Sequence, residues 1–275
     1  LGTQPHPRPS PYSAAALPPA PPSTFTGRAA EREKLTKDML SDELITVIAL
    51  RGKAGIGKTA LAQKLAEELS HTRTFPGGIL WWTLGPQPDV PAALSAWAAY
   101  ATPNSDVTRL PLDVRAEYVS ARLSQMGRLC VVLDDVWQAD AAQTLINVLP
   151  PGTTILVTSR DTDLAASPYY HRHDLAALTE DESLELLQKL LSVPEQYADA
   201  AREIARLTEG IPLALELAAG QVCSAAELPA LVETLRQNPL PGDGSVETSL
   251  AANYASLPAP LQRHFRALGI FPAPF

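Results

Sequence analysis

The chain has 275 residues, of which 45% are hydrophobic, and its formal net charge is −8 at pH 7. This length supports one large domain or two smaller domains with real cores. The acidic balance argues against a nucleic-acid-binding or membrane-surface role for this stretch, because such partners require clustered cations. No apolar run in the sequence reaches the length of a membrane span. Cys130 and Cys223 fall in an apolar predicted strand and an apolar predicted helix, which favours buried free thiols and a cytoplasmic location.

The first part of the chain predicts an α/β fold. Residues 1 to about 22 are rich in proline and indicate either a stiff linker or a disordered tail. From Thr24 onward, strands that are apolar on both faces alternate with helices, which predicts a parallel sheet sandwiched by helices. In chain order we expect a helix at 29–40, a strand at 45–50, a helix at 58–70, a strand at 78–84, helices near 90–101 and 112–126, a strand at 129–133, a helix near 138–148 and a strand at 153–159.

After about residue 176 the pattern becomes all-helical. Apolar residues recur at helical spacing, and the turn residues near 238–245 indicate a linker. The predicted helices are 180–191, 195–208, 212–222 and 226–236, followed by about two more in the last thirty residues. Because the chain begins with Leu1 rather than Met, we expect it to be part of a longer protein. The predicted domains are a linker at 1–22, an α/β domain at 23–176, a helical domain at 177–238 and a terminal segment at 239–275.

The run at 52–59 fits the phosphate-binding pattern G-x-x-x-x-G-K-[ST] at each fixed position. Its glycines let backbone N–H groups turn inward around a polyphosphate, Lys58 can reach the β- and γ-phosphates, and the Thr59 hydroxyl can ligate Mg²⁺. The preceding predicted strand and the following predicted helix support nucleotide binding. The alternative is a glycine-rich turn between a strand and a helix. The residues expected to bind nucleotide here are Gly52, Ala54, Gly55, Ile56, Gly57, Lys58, Thr59 and Ala60.

Two carboxylates end the apolar strand that begins at Leu129. In open α/β folds ligands bind at the carboxyl edge of the sheet, so this pattern is typical of a Walker B element. Asp134 is placed to hold Mg²⁺, and Asp135 is placed to orient or activate the attacking water. The alternative is a pair of solvated acids at a strand end.

Arg160 follows the next strand along the chain, at the same predicted edge of the sheet. A cation at this edge can meet a γ-phosphate, and an arginine placed on transition-state charge contributes roughly 10³–10⁵ in rate. The alternative is a surface arginine paired with Asp161 or Asp163.

Taken together, these elements resemble the NB-ARC family of signalling ATPases, which belongs to the STAND class of P-loop ATPases, and a bacterial member is expected. Five landmarks occur in family order from about residue 24 to the end. They are Phe25-Thr26-Gly27-Arg28, the phosphate loop at 52–59, Leu133-Asp134-Asp135-Val136-Trp137, Thr158-Ser159-Arg160-Asp161 and Gly210-Ile211-Pro212-Leu213-Ala214-Leu215.

The resemblance implies roles for further residues. Pro212 and Leu213 would pack on the nucleotide from the helical domain, and Thr26 and Arg28 would flank the adenine. From the residues alone, Pro212 is a favourable first-turn proline and Arg28 a solvated residue before a helix. The terminal segment resembles the start of a winged-helix domain.

One expected family residue has no counterpart. The family's M-H-D motif, whose histidine reads the β-phosphate of ADP, is absent. The histidines of this chain do not replace it: His6 lies in the proline-rich segment, His71, His171 and His173 are predicted to lie in loops, and His264 lies in the terminal segment.

The resemblance implies a slow Mg²⁺-dependent ATPase that binds ATP and ADP and controls a signalling, defence or regulatory multidomain protein. The expected mechanism is a nucleotide-dependent domain rearrangement with self-association on activation. The upstream effector and downstream sensor domains would lie outside this chain. The alternative is the nucleotide-gating module of a transcription regulator, with the DNA reader elsewhere. A metabolic kinase or a GTPase is disfavoured, because no acceptor site or N-K-x-D element is found.

Overall fold

A computed structural model describes residues 16–41, 46–103, 105–160 and 170–237. These residues form two compact units. The sheet unit comprises the described residues up to Gly52 together with Lys58–Leu175, and the helical unit comprises Lys53–Gly57 and the described residues from Ala176 onward. The predicted winged-helix segment at 239–275 lies outside the described residues.

The sheet unit contains five parallel strands in the order β2-β3-β4-β1-β5. Its elements are α1 (Ala29–Met39), β1 (Thr46–Arg51), α2 (Lys58–Ser70), β2 (Gly78–Gly85), α3 (Val90–Ala101), α4 (Leu112–Leu123), β3 (Leu129–Val136), α5 (Ala139–Ile146), β4 (Thr154–Ser159) and β5 (Tyr170–Asp174). The predicted parallel sheet with helices is therefore confirmed. Strand β4 lies between the strand that carries the phosphate loop and the strand that carries the acids.

Burial explains why the central strands read as continuous apolar runs. All six residues of β4 are buried, and in β3 all are buried except the half-buried Asp135. A strand with helices over both faces has no solvated side, so its sequence does not alternate. The fully buried Trp97 of α3 packs into the same core as these strands.

The fifth strand was not predicted. Strand β5 pairs with β1 through its backbone, from Val47↔Tyr170 to Arg51↔Asp174. The earlier placement of His171 and His173 in loops is therefore wrong, since both lie on this strand. Its sequence, Tyr-His-Arg-His-Asp, is polar because it forms an edge of the sheet, where charged side chains face water and discourage pairing with other chains.

The predicted linker is packed at its end. Ala16 is fully buried in the sheet unit's core, and its carbonyl accepts a hydrogen bond of 2.7 Å from the backbone N–H of Trp81. Because β2 is the other edge of the sheet, this bond satisfies a donor that a lone edge strand would leave open. The sheet unit therefore includes residues that the sequence assigned to the linker.

The helical unit contains α6 (Glu180–Leu191), α7 (Ala198–Leu207), α8 (Pro212–Ala219) and α9 (Leu228–Gln237), with short 3₁₀ turns at Glu195–Tyr197 and Ala225–Glu227. A capping box starts α6, because the Thr179 hydroxyl accepts from the Glu182 N–H and the Glu182 carboxylate accepts from the Thr179 N–H. Helix α8 ends before Cys223, so the prediction of a buried helical thiol at Cys223 is wrong: that thiol is exposed, whereas Cys130 is buried. Among the described residues, no helix combines the length and the apolar character needed to cross a membrane.

Candidate functional site

The phosphate loop begins where β1 ends, and α2 begins at its lysine. The Lys58 ammonium donates a 2.8 Å hydrogen bond to the carbonyl of Gly52, at the other end of the loop. Burial lowers the pKa of Lys58 to about 8, and the nearby positive charge of Arg160 lowers it further, while Asp135 and Asp134 partly oppose the shift. An anionic ligand at this point would reverse the shift, because an opposite charge favours the ammonium form.

Thr59 and Asp134 meet although they lie 75 residues apart in the sequence. The Thr59 hydroxyl donates to Asp134 Oδ1 at 2.8 Å. The same carboxylate oxygen accepts a 2.7 Å hydrogen bond from the hydroxyl of Thr158, and its other oxygen lies 3.5 Å from the hydroxyl of Thr83. Burial raises the pKa of Asp134, and the hydroxyls of Thr158 and Thr59 oppose that rise.

These donors fit Mg²⁺. The ion prefers oxygen ligands and is commonly held by one or two carboxylates together with substrate phosphates. Thr59 and Asp134 provide a hydroxyl and a carboxylate in contact at the end of the phosphate loop. Among the described residues there is no group of three or more histidine, cysteine or acidic side chains that could hold a metal alone. The phosphates of a nucleotide would therefore have to supply the remaining ligands.

A β-bulge in β3 lies at the two acids, Asp134 and Asp135. Strand β3 advances three residues from Leu133 to Val136, while β4 advances two from Val157 to Ser159, so β3 contains one extra residue here. Asp135 has a left-handed backbone, with φ of +51°. Asp134 is consequently buried, whereas the Asp135 carboxylate reaches the surface.

Arg160 lies at the end of β4, close to Asp135. Its Nε is 4.0 Å from Asp135 Oδ1, and its guanidinium lies 5.1 Å from the centre of the Trp137 ring. Trp137 is 46% exposed, so this cation–π contact is at the surface. The alternative partners Asp161 and Asp163 lie outside the described residues.

The tip of the phosphate loop belongs to the helical unit, as do Pro212 and Leu213. The N–H of Leu213 donates to the carbonyl of Gly55 at 3.2 Å. A β-carbon on Gly55 would lie 2.8 Å from that of Leu213, and one on Gly57 would lie 3.8 Å from the Pro212 ring. Pro212 is the first residue of α8, where its missing N–H costs no helical hydrogen bond.

Thr26 and Arg28, the predicted adenine-side residues, are both buried. The Thr26 hydroxyl has no hydrogen-bond partner among the residues that the structure describes. Arg28 is 3% exposed, has a left-handed backbone with φ of +62°, and donates to Glu31 at 3.1 Å. The alternative of a solvated arginine before α1 is therefore wrong.

Three side chains near the acids were not assigned a role from the sequence: Thr83, Thr158 and the ring of Trp137. Each lies at the carboxyl end of a strand, where ligands of α/β folds bind. In the sequence, these residues could be found as hydroxyl or aromatic side chains at the carboxyl ends of predicted strands. Identifying the residues that they contact requires the register between the strands.

The chain is similar in sequence to a known domain family and to proteins from a plant and a bacterium. Residues 28–195 match the NB-ARC domain. The chain is 27% identical over 272 residues to the putative disease resistance RPP13-like protein 1 of Arabidopsis thaliana, covering 91% of this chain and 25% of that protein. It is 31% identical over 283 residues to the regulatory protein AfsR of Streptomyces coelicolor, covering 93% of this chain and 27% of that protein. The chain thus spans about a quarter of the length of these curated relatives.

Solved structures share the fold. A STAND protein with a tetratricopeptide repeat sensor from Pyrococcus horikoshii superposes with a TM-score of 0.58 at 16% identity, covering 95% of this chain and 36% of that one. The ORC2 protein of Aeropyrum pernix, solved as ADPNP–ADP complexes, gives a TM-score of 0.57 at 18% identity, covering 84% of this chain and 71% of that one. At these identities the likeness establishes the fold alone.

Proposed function

The chain belongs to the NB-ARC family, and from this and the site's geometry we propose that it is an ATP- and ADP-binding molecular switch with slow ATP hydrolysis. The observation that carries the proposal is the convergence of Lys58, Thr59 and Asp134 at the end of the phosphate loop. An ammonium, a hydroxyl and a carboxylate in this arrangement are the parts that bind a Mg²⁺-nucleotide in P-loop NTPases.

Phosphate binding would be the task of the loop and its lysine. Lys58 would exchange the carbonyl of Gly52 for phosphate oxygens, gaining charge-assisted hydrogen bonds. The first turn of α2, which includes Thr59 and Ala60, would contribute N–H groups and the positive end of the helix dipole. Thr26 and Arg28 would lie on the adenine side, and the buried Thr26 hydroxyl could find its partner there.

Thr59 and Asp134 would hold Mg²⁺, which supplies charge neutralisation on the phosphate oxygens. For hydrolysis, the Asp135 carboxylate is the candidate to orient a water and accept its proton. Its surface position next to Arg160 suits a group that must meet both water and the γ-phosphate. Arg160 would place positive charge on the transferring phosphoryl group.

Switching requires that ATP and ADP differ in affinity for two conformations, because a ligand shifts an equilibrium only by that difference. The helical unit contains both the loop tip and Pro212–Leu213. A change at the phosphates would therefore be passed to α8 through the hydrogen bond from the Leu213 N–H to the Gly55 carbonyl. We propose that this change drives the domain rearrangement and the self-association expected of STAND proteins. Effector and sensor domains would lie outside this chain.

A second candidate is the nucleotide-gating module of a transcription regulator. The similarity to AfsR, which is named a regulatory protein and matches 93% of this chain, favours it. Both candidates share the same nucleotide chemistry. They are distinguished by whether the full-length protein binds DNA.

The proposal is tested by the variant Lys58→Ala, with Lys64→Ala as a control on the same helix. Lys64 forms surface ion pairs with Glu67 and Glu68. Loss of hydrogen bonds to charged phosphate, at about 1.5–3 kcal/mol each, should weaken ATP affinity by on the order of 100-fold in Lys58→Ala. The Lys64→Ala variant should bind as the wild type does. Equal ATP affinity in all three proteins would contradict the phosphate-loop assignment.

A further inference from the structure

The hydroxyl of Thr158 connects the two acids of the site. Thr158 lies on β4 and is 1% exposed. Its hydroxyl donates to Asp134 Oδ1 at 2.7 Å and accepts from the backbone N–H of Asp135 at 2.9 Å. A hydroxyl has one proton to donate and lone pairs that accept. The Thr158 hydroxyl uses its proton for the carboxylate of Asp134 and a lone pair for the backbone N–H of Asp135.

These two bonds lie at the bulge of β3. The extra residue in the bulge interrupts the regular ladder between β3 and β4 over Asp134 and Asp135. The Asp135 N–H would normally find its partner in that ladder, and here the Thr158 side chain takes the place of a backbone carbonyl. The left-handed backbone of Asp135 is uncommon for a residue other than glycine and needs such support from its surroundings.

We propose that Thr158 is the positioning residue for both acids. The hydrogen bond that its hydroxyl donates orients the carboxylate of Asp134, and the hydrogen bond that it accepts holds the backbone of Asp135, which determines where the Asp135 side chain points. This inference rests on the proposed nucleotide-binding function. Without the hydroxyl, Asp134 would lose one of the two donors on Oδ1, and a half-buried N–H would lose its partner. The carboxylate that is to hold Mg²⁺ would then be free to rotate away from Thr59.

Thr154 provides an internal comparison. It lies on the same face of the same strand, four residues earlier, and is also 1% exposed. Its hydroxyl donates to the carbonyl of Met39 at 3.2 Å, on the opposite end of the strand from the acids. Replacing either threonine by valine removes one buried hydroxyl from β4, but only Thr158→Val removes a contact with the acids.

The experiment measures ATP affinity as a function of Mg²⁺ concentration in wild type, Thr158→Val, Thr158→Ser and Thr154→Val. Groups that orient metal ligands typically affect metal affinity by about 10–100-fold. We expect Thr158→Val to raise the Mg²⁺ concentration for the half-maximal effect by about 10-fold or more, on the same scale. Its affinity for ATP in EDTA should stay within a few-fold of wild type, because that affinity depends on Lys58 and the loop backbone. Thr158→Ser, which keeps the hydroxyl, and Thr154→Val should behave as the wild type does.

Three results would overturn the inference. The first is an unchanged Mg²⁺ dependence in Thr158→Val, and the second is an equal loss in Thr158→Ser. The third is a loss of ATP affinity in EDTA that accompanies the loss of the Mg²⁺ effect, because it would show general support of the fold. Should Thr158→Val fail to fold, Thr158→Ala serves as the second variant that lacks the hydroxyl, with the same expected results. A wild-type protein that binds no ATP would instead contradict the proposed function itself.

Discussion

Replacing Gly210 by alanine should destabilise the helical unit strongly. Gly210 has φ of +63°. Its N–H donates to the carbonyl of Ala205 at 3.0 Å, and its carbonyl accepts from the N–H of Leu178 at 2.9 Å. A β-carbon there would lie 2.4 Å from the backbone oxygen of Leu178. Because that obstacle is backbone rather than a flexible side chain, the loop itself would have to move.

The size of the effect follows from two terms. A left-handed backbone costs a residue with a β-carbon about 1–2 kcal/mol. Forcing an extra methyl group into a packed site costs about 1–3 kcal/mol more. The sum is about 2–5 kcal/mol, and since about 1 kcal/mol shifts the Tm of a small domain by roughly 4–8 °C, the transition of the helical unit should fall by at least about 8 °C.

Calorimetry of Gly210→Ala and Gly85→Ala separates the two terms. Gly85 has nearly the same backbone angle, with φ of +62°, but a β-carbon there would meet nothing within 4 Å. Gly85→Ala should therefore show only the conformational cost of about 1–2 kcal/mol. Equal destabilisation in the two variants would refute the claim that the Leu178 carbonyl makes glycine necessary at position 210.

Three further outcomes are expected. Asp135→Asn should retain ATP binding and lose hydrolysis by about 100-fold or more, because general base catalysis contributes about 10²–10⁴ in rate; unchanged turnover would show that Asp135 is only a solvated acid. Burial raises the pKa of the Cys130 thiol to about 12, so at pH 8 a disulfide reagent should titrate Cys223 alone in the native protein and both thiols in guanidinium chloride; rapid labelling of two native thiols would contradict this. Hydrogen bonds from Arg206 and Arg236 lower the pKa of Glu203 from 4.5 to about 2. The wild type should therefore be more stable than Glu203→Gln by its full amount above pH 4.5, and this difference in stability should vanish as the pH falls toward 2. A difference that does not vary with pH would exclude the ion pairs of Glu203 as its source.

Much of the fold could be predicted because its signals are local. The apolar runs of β1, β3 and β4 and the glycines of the phosphate loop can be recognised without knowing the tertiary structure. Strand β5 could not be, because its polar residues form a strand only through backbone pairing with β1. Cys223 was misplaced because it was grouped with the apolar residues of the preceding helix, whereas α8 already ends at Ala219.

The site could be predicted in part for the same reason. The sequence indicates Lys58, Thr59, Asp134 and Asp135 through motifs of fixed spacing, and the structure joins Thr59 to Asp134 by a hydrogen bond. The position of Thr158 between the acids depends on the register of β3 against β4 and on the bulge, neither of which has a sequence signature.

The most direct test of nucleotide binding is competition for the purified protein between ATP, ADP and GTP in the presence of Mg²⁺. Free nucleotide is removed by gel filtration, the protein is denatured, and the released nucleotide is identified by chromatography. We predict an adenine nucleotide at about one per chain in the wild type and none in Lys58→Ala, because Lys58 supplies the main cation for the phosphates. Release of guanine nucleotide, or of no nucleotide from the wild type, would contradict the assignment of this chain as an adenine-nucleotide switch.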